Sequence, residues 1–341
     1  RGVEVKKTPE IMAVIRRYFS EQEPLYLSAS SINEYINCPL SFYIKNIKGY
    51  SREDSIKEWI DESTFGTVMH QALEEIYEAM AGANAGRMIT AQAIEQVLAS
   101  PHLIDTKVVH AINEHHHSLG KENSTPLNGA PLVVGQLIAQ YIRSVLRRET
   151  DMTPFEYIAG EQVILHHITL TDTDPDTGET RDTISFNIKA IIDRIDRIAH
   201  PSQPGSRLMR IVDYKTGADP TDAPSVEALF EHPQNQRASR PKAMLQLLLY
   251  SQTLQEHRGS DEPVQPLIYS LRQVSTKSFS PLRIGGEEVL DHRDYVRRMS
   301  HYLIPVLREL ADENIPFRNT TDLRACHYCK FQDICDRKLE N

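Results

Sequence analysis

The chain has 341 residues, with 38 Lys plus Arg against 47 Asp plus Glu and a formal net charge of −9. That balance excludes a general basic coat for nucleic acid while leaving room for a local basic groove. Hydrophobic residues make up 40% and charged residues 25%, ordinary for a globular chain, and the length predicts about two domains or one decorated core. No apolar run approaches the roughly 18 residues that a membrane span requires, and no signal-peptide core opens the chain. Four cysteines are too few for a secreted disulfide scaffold, so a reducing cytoplasm is the expected location. The sequence starts at Arg1 without an initiator Met, as expected for a piece excised from a longer protein.

In chain order, Ser31-Ile-Asn-Glu34 has the form of a capping box and predicts a helix from Ser31 to about Lys45. Met69, Ala72, Leu73, Ile76, Tyr77 and Met80 repeat at helical spacing and predict a helix over 64–80. Further helices are expected over 90–99, 101–117 and 131–149, with a polar loop at 120–131. From Pro154 the pattern changes to strands over 155–170, 183–199 and about 207–214, with Ile184, Phe186, Ile188, Ala190 and Ile192 alternating cleanly. Residues 172–182 and 200–206 read as the turns between them. A Leu-rich helix over 241–257, a strand over 264–272 and a helix over 287–313 interrupted by Pro305 precede a cysteine-bearing tail. The expected division is a helical region over 1–150, a strand-rich core over 151–285 and a C-terminal helix with its tail over 286–341.

Chemistry concentrates in Ile192-Asp-Arg-Ile-Asp196 and Ile211-Val-Asp-Tyr-Lys-Thr-Gly217. Asp213 and Lys215 share one face of a strand, and the Tyr214 carbonyl stays near that face. A carboxylate beside an ammonium suits metal-assisted hydrolysis, the one holding a hard cation and the other orienting a water. A hairpin centred on Gln203 places Asp193 opposite Asp213, whereas a slip of one residue brings in Asp196 instead. The bland alternative is that Asp193, Arg194, Asp196 and Arg197 form surface ion pairs. Glu161, at the start of the first long strand, could add a carboxylate, although an exposed strand position is its simpler account.

The arrangement resembles the PD-(D/E)xK nuclease superfamily, and more narrowly its RecB-type branch, including the nuclease domains of AddB and the related Cas4 exonucleases. Phe65-Gly-Thr-Val-Met-His-Gln-Ala-Leu-Glu74 is similar to the branch's Gly-x-x-x-His-x-x-Leu-Glu helix, which implies that His70 is a metal ligand. Gln246-Leu-Leu-Leu-Tyr250 is similar to its Gln-x-x-x-Tyr helix, which implies that Gln246 meets the active site or substrate and Tyr250 supports it. The same resemblance selects Asp193 over Asp196. Ala190 departs from the Gly common in the family. The likeness runs from Ser28 to Cys335 and implies a restriction-endonuclease-like α/β fold, a mixed central sheet with flanking helices. It further implies a DNase using Mg²⁺ or Mn²⁺ held by His70, Asp193, Asp213 and the Tyr214 carbonyl, with Lys215 positioning the water. An AddB-like chain would carry a helicase region upstream and work with an AddA-like helicase–nuclease subunit in double-strand-break processing. A free-standing Cas4-like exonuclease, a non-catalytic DNA-end-binding module and a cluster-stabilised scaffold are the competing readings.

Cys326-His-Tyr-Cys329, Cys335 and the distant Cys38 supply four thiolates, enough for a tetrahedral zinc or an iron–sulfur cluster. Joining positions about 290 residues apart removes up to about 5 kcal/mol of unfolded-chain entropy, which favours a structural staple over a redox role. The resemblance implies a [4Fe–4S] cluster, with zinc as the alternative. Other signals are set aside. Asp172-Thr-Asp-Pro-Asp-Thr-Gly178 imitates a calcium loop but reads as a solvated hairpin tip, and His115-His-His117 reads as a solvated helix end. There is no P-loop. Arg143, Arg147 and Arg148, then Arg237, Arg240 and Lys242, then Arg293, Arg297 and Arg298 form basic clusters that would track a phosphate backbone if they face the site.

Overall fold

The computed structural model describes residues 2–50, 62–115, 127, 129–217, 219–231, 240–271, 279–326 and 329–335. Its centre is a seven-stranded mixed sheet. Two long strands, β4 (Phe155–Thr173) and β5 (Thr180–Ala199), pair antiparallel, and β6 (Arg207–Lys215) returns antiparallel beside β5. A helix, α8 (Lys242–Arg258), then crosses over to β8 (Val264–Ser270), which lies parallel to β6. Short strands β3 (Met88–Ile89) and β9 (Ser280–Pro281) extend the two edges, and β2 (Leu27–Ser28) joins β5 in parallel. A small separate ribbon unites β7 (Asp222–Ala223), β10 (Arg283–Ile284) and β11 (Glu287–Glu288). The expected mixed sheet with flanking helices is the fold observed.

Strand alternation divides the interior into two cores. Met209 and Ile211 of β6 pack with α8 and with α9 (His292–Ala311), whereas Val212 and Tyr214 face the opposite way. That second face is covered by α4 (Glu62–Ala83), α5 (Ala91–Leu98), α6 (Pro101–His115) and α7 (Gly129–Glu149), with Met69, Leu73, Ile76 and Tyr77 of α4 buried. The first core also takes in α1 (Pro9–Arg16) and α2 (Ala29–Asn37).

Two helix expectations need correction. The cap of α2 is Ser28, not Ser31: the Ser31 N–H donates to Ser28 Oγ at 3.0 Å, and the Ser28 N–H donates back to Ser31 Oγ at 2.9 Å. Ser31 is thus the third helical residue, a role in which a Ser hydroxyl replaces the usual Glu or Gln. The helix also stops at Cys38, whose backbone is extended (φ −162°), before a short α3 (Pro39–Phe42) resumes. Pro39 explains the break, because the residue before a proline is driven out of the helical region. Pro305, by contrast, does not interrupt α9, whose face of Val296, Met299, Leu303, Ile304, Leu307 and Leu310 is buried and holds the helix through the missing N–H.

The chain's two ends meet. Strand β1 (Glu4–Val5) pairs with β12 (Phe317–Arg318), and Asn319 exchanges hydrogen bonds with Val3. Lys7 Nζ donates to the carbonyls of Glu309, Leu310 and Asp312 at 2.7, 2.9 and 2.8 Å, satisfying the otherwise orphaned C-terminus of α9.

At the other end of α9, His292 is fully buried, and burial pushes its pKa down to about 4 against the pull of Asp291. A histidine depressed in the folded state contributes stability that is complete above its unfolded value of about 6.5 and is lost as pH falls toward 4. Chemical denaturation at pH 7 and pH 5 should therefore show a loss of about 2 kcal/mol from this group. A His292→Gln variant should lack that share; an equally steep decline in the variant would show that His292 is not responsible.

Candidate active site

The β5–β6 hairpin has the register of a turn centred on Gln203: Arg194 faces Val212 and Asp196 faces Arg210. Asp193 and Asp213 are the next residues beyond the last of these paired rungs. Asp193 Oδ2 accepts a 2.8 Å hydrogen bond from the Tyr214 N–H, which ties its carboxylate across to β6. Asp213 lies beside it, with Lys215 Nζ 2.9 Å from its Oδ2 and Gln246 Nε2 3.4 Å from its Oδ1. Tyr250, one helical turn beyond Gln246 on α8, is buried, and burial raises its phenol to about 12.

From the opposite layer, α4 delivers His70 to the same place. Its Nε2 is 3.1 Å from the Tyr214 carbonyl oxygen and 3.7 Å from Asp193 Oδ2, and its Nδ1 is 3.5 Å from Glu161 Oε1. His70, Glu161 and Asp193 offer ligand atoms that all lie within 4.8 Å of one another. Asp213 stands next to this group, held by Lys215 and Gln246 rather than within it.

Glu161 is the residue that sequence reasoning passed over as an exposed strand position. A register shift between Tyr157 and Ala159 rephases β4, and Glu161 adopts φ 41°, rare for a non-glycine residue. Together these turn its carboxylate toward His70. Gly160 makes the approach possible: a Cβ there would lie 2.5 Å from Tyr157 Oη and 2.8 Å from Glu74 Cγ on α4. A glycine inside a strand pattern is the signal that could have pointed to this bulge.

The electrostatics are those of clustered acids around a buried point. Burial raises Asp193 to about 7, with Asp213 and Glu161 adding to the rise against the pull of His70. Burial opposes the charged form of His70, but Asp193, Glu161 and Asp213 outweigh it and raise the ring to about 9. Lys215 is likewise raised, since Asp213 and Asp193 overcome its burial, so it stands in the site as an ammonium. Glu161 Oε1 and Asp213 Oδ2 are buried oxygens without an aligned hydrogen-bond donor. The Lys215 contact to the latter is a close ion pair out of hydrogen-bond alignment. An imidazole, carboxylates and a main-chain carbonyl converging with unfilled oxygen lone pairs fit a divalent cation.

Behind Asp193, the same strand turns Arg194 and Asp196 into the second core, where both are buried and not the surface ion pairs of the bland reading. Arg194 pairs with Glu149 at 2.7 Å and Asp196 at 3.0 Å and donates to Tyr214 Oη at 2.9 Å and Tyr269 Oη at 3.2 Å. Arg210 completes the network at 2.5 Å from Asp196. Arg197 is half-buried and pairs with Glu156 and Glu262.

The basic clusters are largely engaged elsewhere. Arg240 is buried and donates to Asn37, Leu229 and Asn33, joining α2 to the start of α8, so it is not free to meet a phosphate. Arg143 pairs with Asp105, Arg293 with Asp291 and Arg297 with Asp294. Arg237, His116 and His117 lie outside the described residues. Lys242 remains beside the site, near Asp219.

The four cysteines gather where the chain ends meet. Cys38, Cys329 and Cys335 pack against Leu40, Ile44 and Phe331, and Cys326 is buried. The Thr320 N–H approaches Cys38 Sγ at 3.4 Å and the Phe331 N–H approaches Cys329 Sγ at 3.4 Å. Burial raises the Cys329 thiol, and the neighbouring Cys38 and Cys326 add to the effect.

The profile of the PD-(D/E)XK nuclease superfamily matches residues 26–336, a span that includes every residue of this site. The chain belongs to the PD-(D/E)XK nuclease superfamily. Among curated proteins, this superfamily member is similar to a subunit of an ATP-dependent helicase/deoxyribonuclease of Clostridium acetobutylicum, at 22% identity over 72% of the chain and 19% of that protein. It is also similar to the corresponding helicase/deoxyribonuclease subunit of Streptococcus agalactiae, at 24% identity over 61% of the chain and 16% of that protein. The chain thus spans about a fifth of the length of these relatives. A crystal structure from Eubacterium rectale aligns over 93% of this chain and 89% of its own, at 12% identity and TM-score 0.39, too loose a likeness to bear on the site. Among the described residues, no helix is long and apolar enough to cross a membrane.

Proposed function

We propose that this chain is a Mg²⁺- or Mn²⁺-dependent deoxyribonuclease that hydrolyses phosphodiester bonds at the His70–Glu161–Asp193 group. The observation that carries the reading is the convergence of these three ligands beside the Asp213–Lys215 pair. His70, Glu161, Asp193, the Tyr214 carbonyl and Asp213 would hold one or two cations. When bound, the cation lowers the pKa of an attacking water and polarises the phosphoryl oxygen. Lys215 orients that water and offsets charge building on the phosphate as an ammonium. Gln246 fixes the Asp213 carboxylate from α8, and Tyr250, buried one turn further along that helix, supports it.

The names of the curated relatives support a helicase–deoxyribonuclease setting; within it we propose the nuclease part of an AddB-like chain, partnered by an AddA-like subunit in break repair and recombination. The four cysteines would hold a [4Fe–4S] cluster as a staple. Brown protein purified without oxygen supports the cluster; colourless protein with stoichiometric zinc overturns it.

The test of activity is digestion of linear single- and double-stranded DNA with and without Mg²⁺ or Mn²⁺. Wild-type protein should cut only with the ion, and Lys215→Ala and Asp213→Ala should each lose on the order of 10²-fold or more in rate. Equal digestion by all three proteins, or none by wild type under any divalent ion, would end the reading.

A further inference from the structure

The sheet face that carries Glu161 and Asp193 continues along β4 and β5 as Val163 opposite Ile191, then Leu165 opposite Lys189. Val163 and Leu165 are each 50% exposed and Ile191 39% exposed. At about 3.3 Å per residue, these rungs lie about 7 and 13 Å from the carboxylates. The next rungs revert to polar pairs, with His167 hydrogen-bonded to Asn187 at 2.7 Å and Thr169 to Ser185 at 2.8 Å. Inward-facing Ile164, Ile168, Ala190 and Ile192 already satisfy the core. The outward apolar residues are therefore not explained by packing, and an antiparallel face open to water is ordinarily polar. The exception is confined to the two rungs adjoining the metal-ligating acids.

Resting on the nuclease reading above, we infer that Val163, Ile191 and Leu165 form a nucleobase subsite for unpaired bases of the strand being cut. The scissile phosphate is drawn to the cation and Lys215, so the nucleosides flanking it must lie within one or two rungs of the acids. Phosphates and sugars gain nothing from an aliphatic wall, and paired bases hide their faces in the duplex stack. Only an unpaired base offers a flat apolar face to it, and exposed Lys189 stands at the far rung to meet the backbone. Aliphatic contact is tolerant of sequence, with an advantage for the thymine methyl.

The experiment compares binding of a single-stranded oligonucleotide, an abasic strand of equal length and a duplex, with Ca²⁺ replacing Mg²⁺ to suppress cutting. The proteins are wild type and a Val163→Thr, Leu165→Thr, Ile191→Thr triple variant, which keeps strand propensity. Wild type should bind the base-bearing strand about tenfold or more tighter than the abasic one. The triple variant should lose that preference while binding abasic strand and duplex as wild type does. A retained preference in a folded variant, or a changed oligomeric state with DNA binding intact, would overturn the subsite. If the triple variant does not fold, a Leu165→Trp protein decides: its fluorescence should be quenched by the base-bearing strand and not by the abasic one, and quenching by neither would overturn the subsite. Absence of cleavage by wild type with Mg²⁺ or Mn²⁺ would defeat the nuclease reading separately, since the base preference is read without cutting.

Discussion

Glu161→Gln protein is expected to cut DNA on the order of 10²–10³ times more slowly than wild type while keeping its fold. The substitution preserves size and one oxygen but removes the charge that makes a carboxylate a strong ligand for a hard cation. Glu161 reaches the site only because β4 changes phase at Tyr157–Ala159 and holds φ 41° at this residue. Such a conformation costs on the order of 1–3 kcal/mol and persists where the surroundings impose it. Here α4 presses against Gly160 from one side and β5 pairs Gly160 with Arg194 from the other. A second readout separates ligation from general damage. Mn²⁺ at about 100 times its dissociation constant should stabilise wild type by about 2.7 kcal/mol, and the shift should shrink in Glu161→Gln. Full activity and a full metal shift in the variant would place Glu161 outside the site.

Arg194→Met should be the most destabilising single change considered, at about 3–5 kcal/mol by chemical denaturation. The side chain is 1% exposed, and it neutralises Glu149 and Asp196, which are themselves 0% exposed. Its guanidinium also lies 4.9 to 5.8 Å from the ring centroids of Tyr77, Phe155, Tyr269 and Tyr214. Removing it leaves Asp196 with Arg210 but Glu149 with only the Tyr77 hydroxyl, and a buried charge without a partner is far costlier than the intact pair is favourable. Adding Glu149→Gln should restore part of the loss, because the orphaned charge goes with it; the two changes should be strongly non-additive. A loss below about 1 kcal/mol in Arg194→Met would contradict this account.

The parts of the site that follow local rules were legible from residues alone. Asp213 and Lys215 share a face because strand alternation has a period of two, and Gln203 at the centre of a turn fixes the partner rung. Gln246 and Tyr250 share a helix face by spacing. His70 needed the family resemblance, since nothing local says that α4 crosses the sheet at Tyr214. Glu161 was hidden because a lone acid on a strand gives no sign of the histidine that α4 brings to meet it. Arg194 and Asp196 read as surface charges for a different reason: burial of an ion is legible only once its partners, here Glu149 and Arg210, are brought from other elements. Ser28 was displaced by Ser31 because a Ser can stand in for the acid that ordinarily completes the capping motif.

The pairing of Glu4 with Arg318 has a consequence for how the molecule assembles and opens. Contacts between residues so distant along the chain form after local ones, since ordering the intervening polypeptide must come first. The seam of β1, β12 and the Lys7 amine is two residues wide per strand, and no sheet strand depends on it. With the proposed cysteine staple removed it is the natural first point of fraying, and amide exchange there should then report a sub-global release of the thiol-bearing arm well before the β4–β5–β6 ladder yields.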